Sequence, residues 1–302
     1  IFKMNDVLII IVTYNRLQLL ERCIDYCNKL SFKNRDILVI DNNSNDGTSS
    51  YLNKLNILNI RLKNNSGSSV GWNTGIEYAL KKNYKYVWLM DDDGYPDKDS
   101  LTKLLENFDK DYACISSLVV SEDNPNRLVF SMPIMKNILS SLVFNIYKTK
   151  NINFLRKYSK NKIYEFAHLF NGSLIKINTI RKIGNVEKNY FMYGDEVDYF
   201  YRLKKVGKVV TFLESFHFHP NVDKRKCSKF WIYYNLKNSI IINKKYRNFF
   251  IIRSFLTIFL CLYRVTSRNG VLELINILVF NKYKFYAAII NGFKNKIGND
   301  FK

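Results

Sequence analysis

Four apolar-rich runs, each closed by a polar cluster, constrain this chain more than any other feature. "VLIIIV" at 7–12 leads into "TYNR", "ILVI" at 37–40 into "DNNSNDGT", "LNIRL" at 58–62 into "KNNSGSSVG", and "YVWLM" at 86–90 into "DDDGYP". Near-continuous apolar runs belong to strands buried on both faces. Helical spacing between them, clearest at 17–30, specifies an α/β fold: a mostly parallel sheet flanked by helices. Ligands in such sheets bind beyond the carboxyl ends of the strands. That rule picks out Thr13, Tyr14, Asn15 and Arg16, then Asp41, then Asn65, Gly67 and Gly71, then Asp91, Asp92 and Asp93.

Three adjacent carboxylates repel one another, so a cation or donor groups must offset their charge. Hard divalent ions, Mg²⁺ or Mn²⁺, take one or two carboxylates and complete their shell with substrate phosphates. The competing role is a polar turn ahead of the helical "PDKDSLTKLLENF". Asp41 ends "LVID", where a carboxylate accepts from a pyrimidine imide N–H or from ribose, or else caps a turn. "NNSGSSVGWNTG" has glycines that allow close approach to a phosphate, although it is neither a dinucleotide fingerprint nor a P-loop.

From Phe130 the strand–helix rhythm stops. Residues 134–162 read as one or two helices, "FAHLFNGSLIKI" as a return to strand, and "YGDEVDYFYRLKKVG" as a helix capped near Asp195 and stopped at Gly207. Asp195 suits the helix start, and Asp198 with Arg202 suits an i, i+4 ion pair on the helix surface. Glu196 has no such partner and is the better candidate general base. "SFHFHP" ends a strand with His217 and His219 on one face, an arrangement suited to a metal or phosphate contact, or to core packing.

The net charge is +21, and from residue 221 onward sixteen Lys/Arg stand against three acids. Such a surplus suits polyanions: nucleic acid, anionic lipid or phosphorylated substrates. Nucleic acid is the poorer match, because the bases are spread along a tail while the strand ends are acidic. "FFIIRSFLTIFLCLYRV" at 249–265 leaves ten uncharged residues between Arg253 and Arg264. That is too short to cross a bilayer and reads as an interfacial or buried helix, part of a basic, helical, membrane-associating region over 231–302. Five dispersed cysteines without a CxxC pair read as reduced thiols of a cytoplasmic protein, and "VLIIIV" is too short for a signal peptide.

In this order, "VTYNR", "VIDNNSNDGT", "NNSGSSVGWNTG", "WLMDDDG" and "YGDEVDYFYR" resemble a bacterial family 2 glycosyltransferase of the GT-A fold. "NSGSSVGWNTGIEYALKK" followed by "VWLMDDDGYP" is most similar to galactofuranosyltransferase-like members, with rhamnosyltransferase-like ones as near neighbours. The resemblance implies a catalytic domain over 1–230, its nucleotide-binding half reaching to about 125. It implies that Thr13, Tyr14, Asn15 and Arg16 lie near the nucleotide and that Asp41 contacts the base. Asn65 and a loop over 67–73, with Gly67, Gly71, Trp72 and Asn73, would close over ribose, diphosphate or donor sugar. Asp91, Asp92 and Asp93 become the DXD-type element, with Mn²⁺ or Mg²⁺ held by Asp93, Asp91 and His219, or by His217 in place of the last. Glu196 takes the position of the catalytic base, within an Asp195-Glu196 pair whose order departs from the commoner one. The implied reaction is inverting transfer of a sugar, galactofuranose from UDP-galactofuranose or rhamnose from dTDP-rhamnose. Its implied acceptor is a lipid-linked oligosaccharide for a surface polysaccharide, on the cytoplasmic face of the plasma membrane.

Overall fold

In the computed structural model, which describes residues 6–134, 148–223 and 225–301, the strand-end clusters share one edge of a single sheet. Strands β1 (Val7–Thr13), β2 (Arg35–Asp41), β3 (Leu58–Arg61) and β4 (Tyr86–Asp91) are parallel, in the order β3-β2-β1-β4. Beside β4 lies β10 (Asn171–Lys176), antiparallel; β6 (Tyr112–Ser121) and β11 (Lys208–His219) then resume the β4 direction. The one reversed strand brings its start, Asn171, to the edge where the others end. Short strands β5 (Tyr95–Pro96) and β9 (Ile163–Tyr164) pair antiparallel with β11, and β7 (Arg127–Pro133) pairs with β6.

Side-chain alternation along β1 builds a core on each face of the sheet. Leu8, Ile10 and Val12 enter one layer, and Val7, Ile9 and Ile11 the other. The first is closed by α3 (Ser68–Leu80) through Trp72 and Ile76, by α6 (Ile177–Ile183) and by α7 (Asp195–Lys204). The second is closed by α1 (Leu17–Asn28), by Leu52 of α2 (Thr48–Lys54) and by α4 (Ser100–Glu106). Each buried aliphatic side chain stabilises by about 1.5–3 kcal/mol, so packing alone fixes the edge that carries the polar groups. Gly71 matters here: a Cβ would stand 2.6 Å from Val12 Cγ1, so α3 lies flush on β1 only because that atom is missing.

After β11 a π-helical turn (Trp231–Asn235) runs into α8 (Leu236–Tyr246), α9 (Phe250–Asn269), α10 (Val271–Phe280) and α11 (Phe285–Phe293). Ile232, Tyr234, Ile240, Cys261, Val265 and Phe285 form a core of their own, which also takes in Phe191. Lys237 is fully buried, paired with Asp300 at 2.6 Å and donating to the Gly298 carbonyl at 2.9 Å.

Several local expectations change. Within 134–162, residues 135–147 lie outside the described residues. Lys148–Asn151 forms a strand, β8, because it pairs with β7, and only Ile152–Tyr158 (α5) is helical. The 67–73 stretch is not a loop, since α3 begins at Ser68. Asp195 does not cap α7 with its side chain. Asp198 and Arg202 do pair, at 2.8 Å, but inside the protein: Asp198 also receives Lys245 Nζ and the Tyr246 hydroxyl, each at 2.7 Å. By length and composition α9 is long and apolar enough to cross a membrane. It is nonetheless one-sided, with Arg253, Ser254, Cys261 and Val265 buried and Ile252, Phe255, Phe259 and Tyr263 exposed.

Candidate active site

A cleft of about 710 Å³ opens along the shared edge and continues onto α8 and α9. The aspartate triplet forms one wall. Thr13 donates its hydroxyl to Asp92 at 2.7 Å, and Arg16 Nη1 lies 3.0 Å from both Asp92 and Asp93. His219 Nε2 stands 3.1 Å from Asp93 Oδ1. These surroundings separate the three acids. Burial, then the charges of Asp93 and Asp92, push Asp91 well up; burial outweighs Arg16 to raise Asp92 as well. Burial works against Asp93 too, but His219, Arg16 and Arg225 together hold it below the usual carboxylate range. Of the three, Asp93 alone is held below the usual carboxylate range.

The donors at Asp93 fit a divalent ion. His219 Nδ1 lies 2.7 Å from the Pro220 carbonyl, which can only accept, so that nitrogen carries the proton. Nε2 is then the ring nitrogen that faces Asp93 Oδ1. Their separation is close to the spacing, about 3 Å, of two adjacent ligands around an octahedral ion at about 2.1 Å. Among the described residues no third His, Cys, Asp or Glu joins the pair, so Asp91 is not part of a three-donor cluster. Two protein ligands suffice for an ion that also binds phosphates. His217, by contrast, is fully buried with both ring nitrogens unpartnered, and a Cβ on Gly94 would overlap its Nε2. Burial, aided by His219, pushes it down to about 3. Of these two histidines it is His219 that lines the cleft.

Glu196 and Asp195, at the start of α7, also line the cleft. The Glu196 side chain is 36% exposed and lies 3.8 Å from His168 Nδ1. His168 Nε2 faces the Ser131 carbonyl at 3.2 Å, so Nε2 carries the proton and Nδ1 turns to Glu196. Asp195 is buried, accepts from Ser68 Oγ at 3.4 Å, and is raised to about 7 by burial and the Glu196 charge. Glu196 is thus the open acid of the pair. The sequence reading missed His168 and Asn171. Their signal was the "FAHLFNGS" that leads into β10, readable only once that strand is known to run in reverse.

The remaining expected residues divide. Thr13, Tyr14, Arg16, Asn65, Gly67, Trp72, Asp91 and Asp92 line the cleft with Asp93, whereas Asn15, Asp41, Gly71 and Asn73 do not. Asn15, left-handed at φ 51°, ties two loops together: its N–H donates to Ser44 Oγ at 2.9 Å and its Oδ1 accepts from Asn45 N at 2.8 Å. Asn73 donates to the Val186 carbonyl at 2.7 Å. Trp72 stacks on Phe170 at 4.5 Å. Asp41 is buried; Oδ1 accepts from Ser44 N at 2.8 Å, and Oδ2 has no hydrogen bond, with Arg61 at 3.5 Å. One carboxylate thus caps the turn and faces Arg61.

Comparison with known proteins agrees with this architecture. The sequence pattern of Glycosyl transferase family 2 matches residues 8–175, more than half of the chain. "Galactofuranosyltransferase GlfT1" of Mycolicibacterium smegmatis is 27% identical over 216 residues, 70% of each chain. Its namesake in Mycobacterium tuberculosis is 30% identical over 161 residues, 52% of this chain and half of that one. Among solved structures, mannosyltransferase PcManGT from Pyrobaculum calidifontis, in complex with GDP-Man and Mn²⁺, superposes with a TM-score of 0.57 at 14% identity, covering 97% and 87% of the chains. Staphylococcus aureus TarS in complex with UDP-GlcNAc gives 0.55 at 13% identity, covering 96% and 80%. The shared fold is that of GT-A glycosyltransferases.

Proposed function

The chain belongs to glycosyl transferase family 2 and is a glycosyltransferase; from that premise we propose that it transfers galactofuranose from UDP-galactofuranose, with inversion, to a lipid-linked glycan at an anionic membrane surface. The names of its relatives support the sugar. The observation that carries the reading is the meeting, in one cleft, of the Asp93–His219 donor pair and the open Glu196 carboxylate.

A divalent ion between Asp93 and His219 would supply the charge that stabilises a departing nucleoside diphosphate. Arg16, 3.0 Å from Asp92 and Asp93, adds a fixed cation at the same place. Glu196 takes the proton of the acceptor hydroxyl as its oxygen attacks the anomeric carbon from the face opposite the leaving group. General-base assistance of this kind contributes about 10²–10⁴ in rate. Asp195, protonated for a larger share of the time than an ordinary aspartate, keeps a second full charge away from that base. A single displacement needs no enzyme nucleophile, and all five cysteines are buried and free.

The membrane assignment rests on the C-terminal helices. Ile252, Phe255 and Phe259 of α9 and Leu272, Val279 and Phe280 of α10 are all more than half exposed. Lys282, paired with Glu273 at 2.9 Å, and Lys284 follow directly, and a cation near an anionic leaflet contributes about 1 kcal/mol. Apolar side chains beside cations match the interface of an anionic bilayer.

A screen of UDP- and dTDP-sugars for nucleotide release, with Mn²⁺ and a lipid-linked acceptor, tests the donor. Turnover of UDP-galactofuranose is expected; turnover of dTDP-rhamnose alone would overturn the choice of sugar.

A further inference from the structure

Beside Glu196 in the cleft stands His168, and its ring is held in place from several directions. The His168 carbonyl accepts from the Ser116 and Ser173 hydroxyls at 3.3 and 3.2 Å, which anchors its backbone to β6 and β10. The ring packs against Phe130 of β7 at 5.3 Å and meets Phe166 edge-on at 5.1 Å. Nε2 faces the Ser131 carbonyl at 3.2 Å, and Nδ1 is left toward Glu196 Oε1 at 3.8 Å.

A carbonyl oxygen only accepts, so in the neutral imidazole Nε2 holds the proton and Nδ1 has none. A bare nitrogen and a carboxylate have no proton to share, and these two stand beyond hydrogen-bond length. A proton delivered to Glu196 changes that, because the new O–H can donate to Nδ1. Catalytic contacts of this kind tighten as the reaction proceeds. An ordinary imidazole holds a proton roughly a hundredfold more tightly than an ordinary glutamate carboxylate, so the proton moves on to nitrogen. The imidazolium then donates at both ends, to the Ser131 carbonyl and to the restored carboxylate. That arrangement exists only after the hydroxyl has given up its proton, which is where stabilisation raises the rate.

Resting on the reading of Glu196 as the base, we infer that His168 is a positioning residue for the transfer: its Nδ1 receives the proton that Glu196 takes from the acceptor hydroxyl. The O–H bond breaks and its electron pair forms the bond to the anomeric carbon. The bond from that carbon to the phosphate oxygen breaks, and the nucleoside diphosphate leaves with that pair. The proton passes through Glu196 to Nδ1 and is lost to water before the next turnover. Asp195 beside the base, Asp91 at the end of β4 and Lys148 of β8 also act on the Glu196 charge, and all three stay in place when His168 alone is changed.

The test compares full-length wild type, His168→Gln and Glu196→Gln, with Mn²⁺, the lipid-linked acceptor and UDP-galactofuranose, or dTDP-rhamnose where that is the donor turned over. His168→Gln keeps an amide donor for Ser131 and has no basic nitrogen. Its kcat should fall about tenfold or more, with donor KM nearly unchanged. The pH profile separates this role from packing. In wild type the acid limb follows the Glu196–His168 pair, and activity is lost as the imidazole takes up a proton from water. In the variant the limb follows the carboxylate alone and moves to lower pH by about one unit or more. An equal fall at every pH, with the limb unmoved, would overturn the inference. His168→Ala gives a second reading: added imidazole should restore turnover, and pyrazole, of the same shape but far less basic, should not. Equal rescue by both, or by neither, would also overturn it. Full turnover by Glu196→Gln would sink the base reading itself; an inactive Glu196→Gln beside a wild-type rate and limb in His168→Gln would sink this inference alone.

Discussion

Asn238 holds Tyr193: its side-chain Nδ2 donates to the Tyr193 carbonyl at 2.6 Å, with the Met192 and Tyr190 carbonyls at 2.9 and 3.1 Å. An amide nitrogen has two protons, so these three contacts are shared rather than independent. The segment they hold is strained, with Phe191 and Tyr193 left-handed at φ 67° and 54°. It runs straight into Asp195 and Glu196. A residue of the C-terminal helices thus sets the chain that delivers the candidate base, and Asp198, bonded to Lys245 and Tyr246, ties α7 to the same helix.

Replacing Asn238 with Leu removes the side-chain donor from the Met192 and Tyr193 carbonyls, the Tyr190 carbonyl keeping Met192 N, and loosens the approach to Glu196. The turnover rate should fall about tenfold or more, while UDP affinity, set at the Asp93 end, stays close to wild type. Steady-state kinetics beside a UDP titration check this. Equal losses in both would mean that the contact only supports the fold.

Gly67 tests the neighbouring junction. At φ 85° it is in the left-handed region, and a Cβ there would overlap the Phe191 carbonyl oxygen. Gly67→Ala should destabilise by about 2–4 kcal/mol, read from urea unfolding. An unchanged midpoint would show that the Phe191 segment yields to the added methyl.

Asp195 gives a pH signature. Its folded value, about 7, lies above the ordinary 3.8, so the folded state disfavours its charged form. The resulting penalty is absent below about pH 4, grows through the window from 4 to 7, and is complete above it. Asp195→Asn removes that penalty and preserves an acceptor for Ser68. The variant should match wild type near pH 4 and be more stable by about 2–4 kcal/mol at pH 8, measured by thermal unfolding across the range. A constant difference at every pH would contradict the assignment.

For the membrane face, Phe255→Ser with Phe259→Ser removes two exposed rings without touching the core. Binding to anionic vesicles should weaken at least about tenfold, with circular dichroism unchanged. Undiminished sedimentation with vesicles would place the contact elsewhere.

The strands were readable because apolar runs of period-independent burial leave few alternatives, and the edge rule then selected Thr13, Arg16 and Asp93 together. What could not be read depended on tertiary pairing. Lys148 looks like part of a basic helix until β7 recruits it as a strand. Gly71 resembles a phosphate-loop glycine, but its missing side chain serves packing against Val12. The helical pair Asp198–Arg202 keeps its spacing whether exposed or buried, so its burial by Tyr190, Lys245 and Tyr246 lay beyond any local pattern. Arg264 reads as an interruption of an apolar stretch, and only the docking of α9 turns it toward the cleft.

The most direct test of the central claim is calorimetric titration of UDP with and without Mn²⁺, in wild type and Asp93→Asn. UDP should bind wild type far more tightly with Mn²⁺ than without it, and the variant should lose that enhancement while remaining folded. The same Mn²⁺ enhancement in both proteins, or none in wild type, would contradict a nucleotide site built on Asp93 and His219.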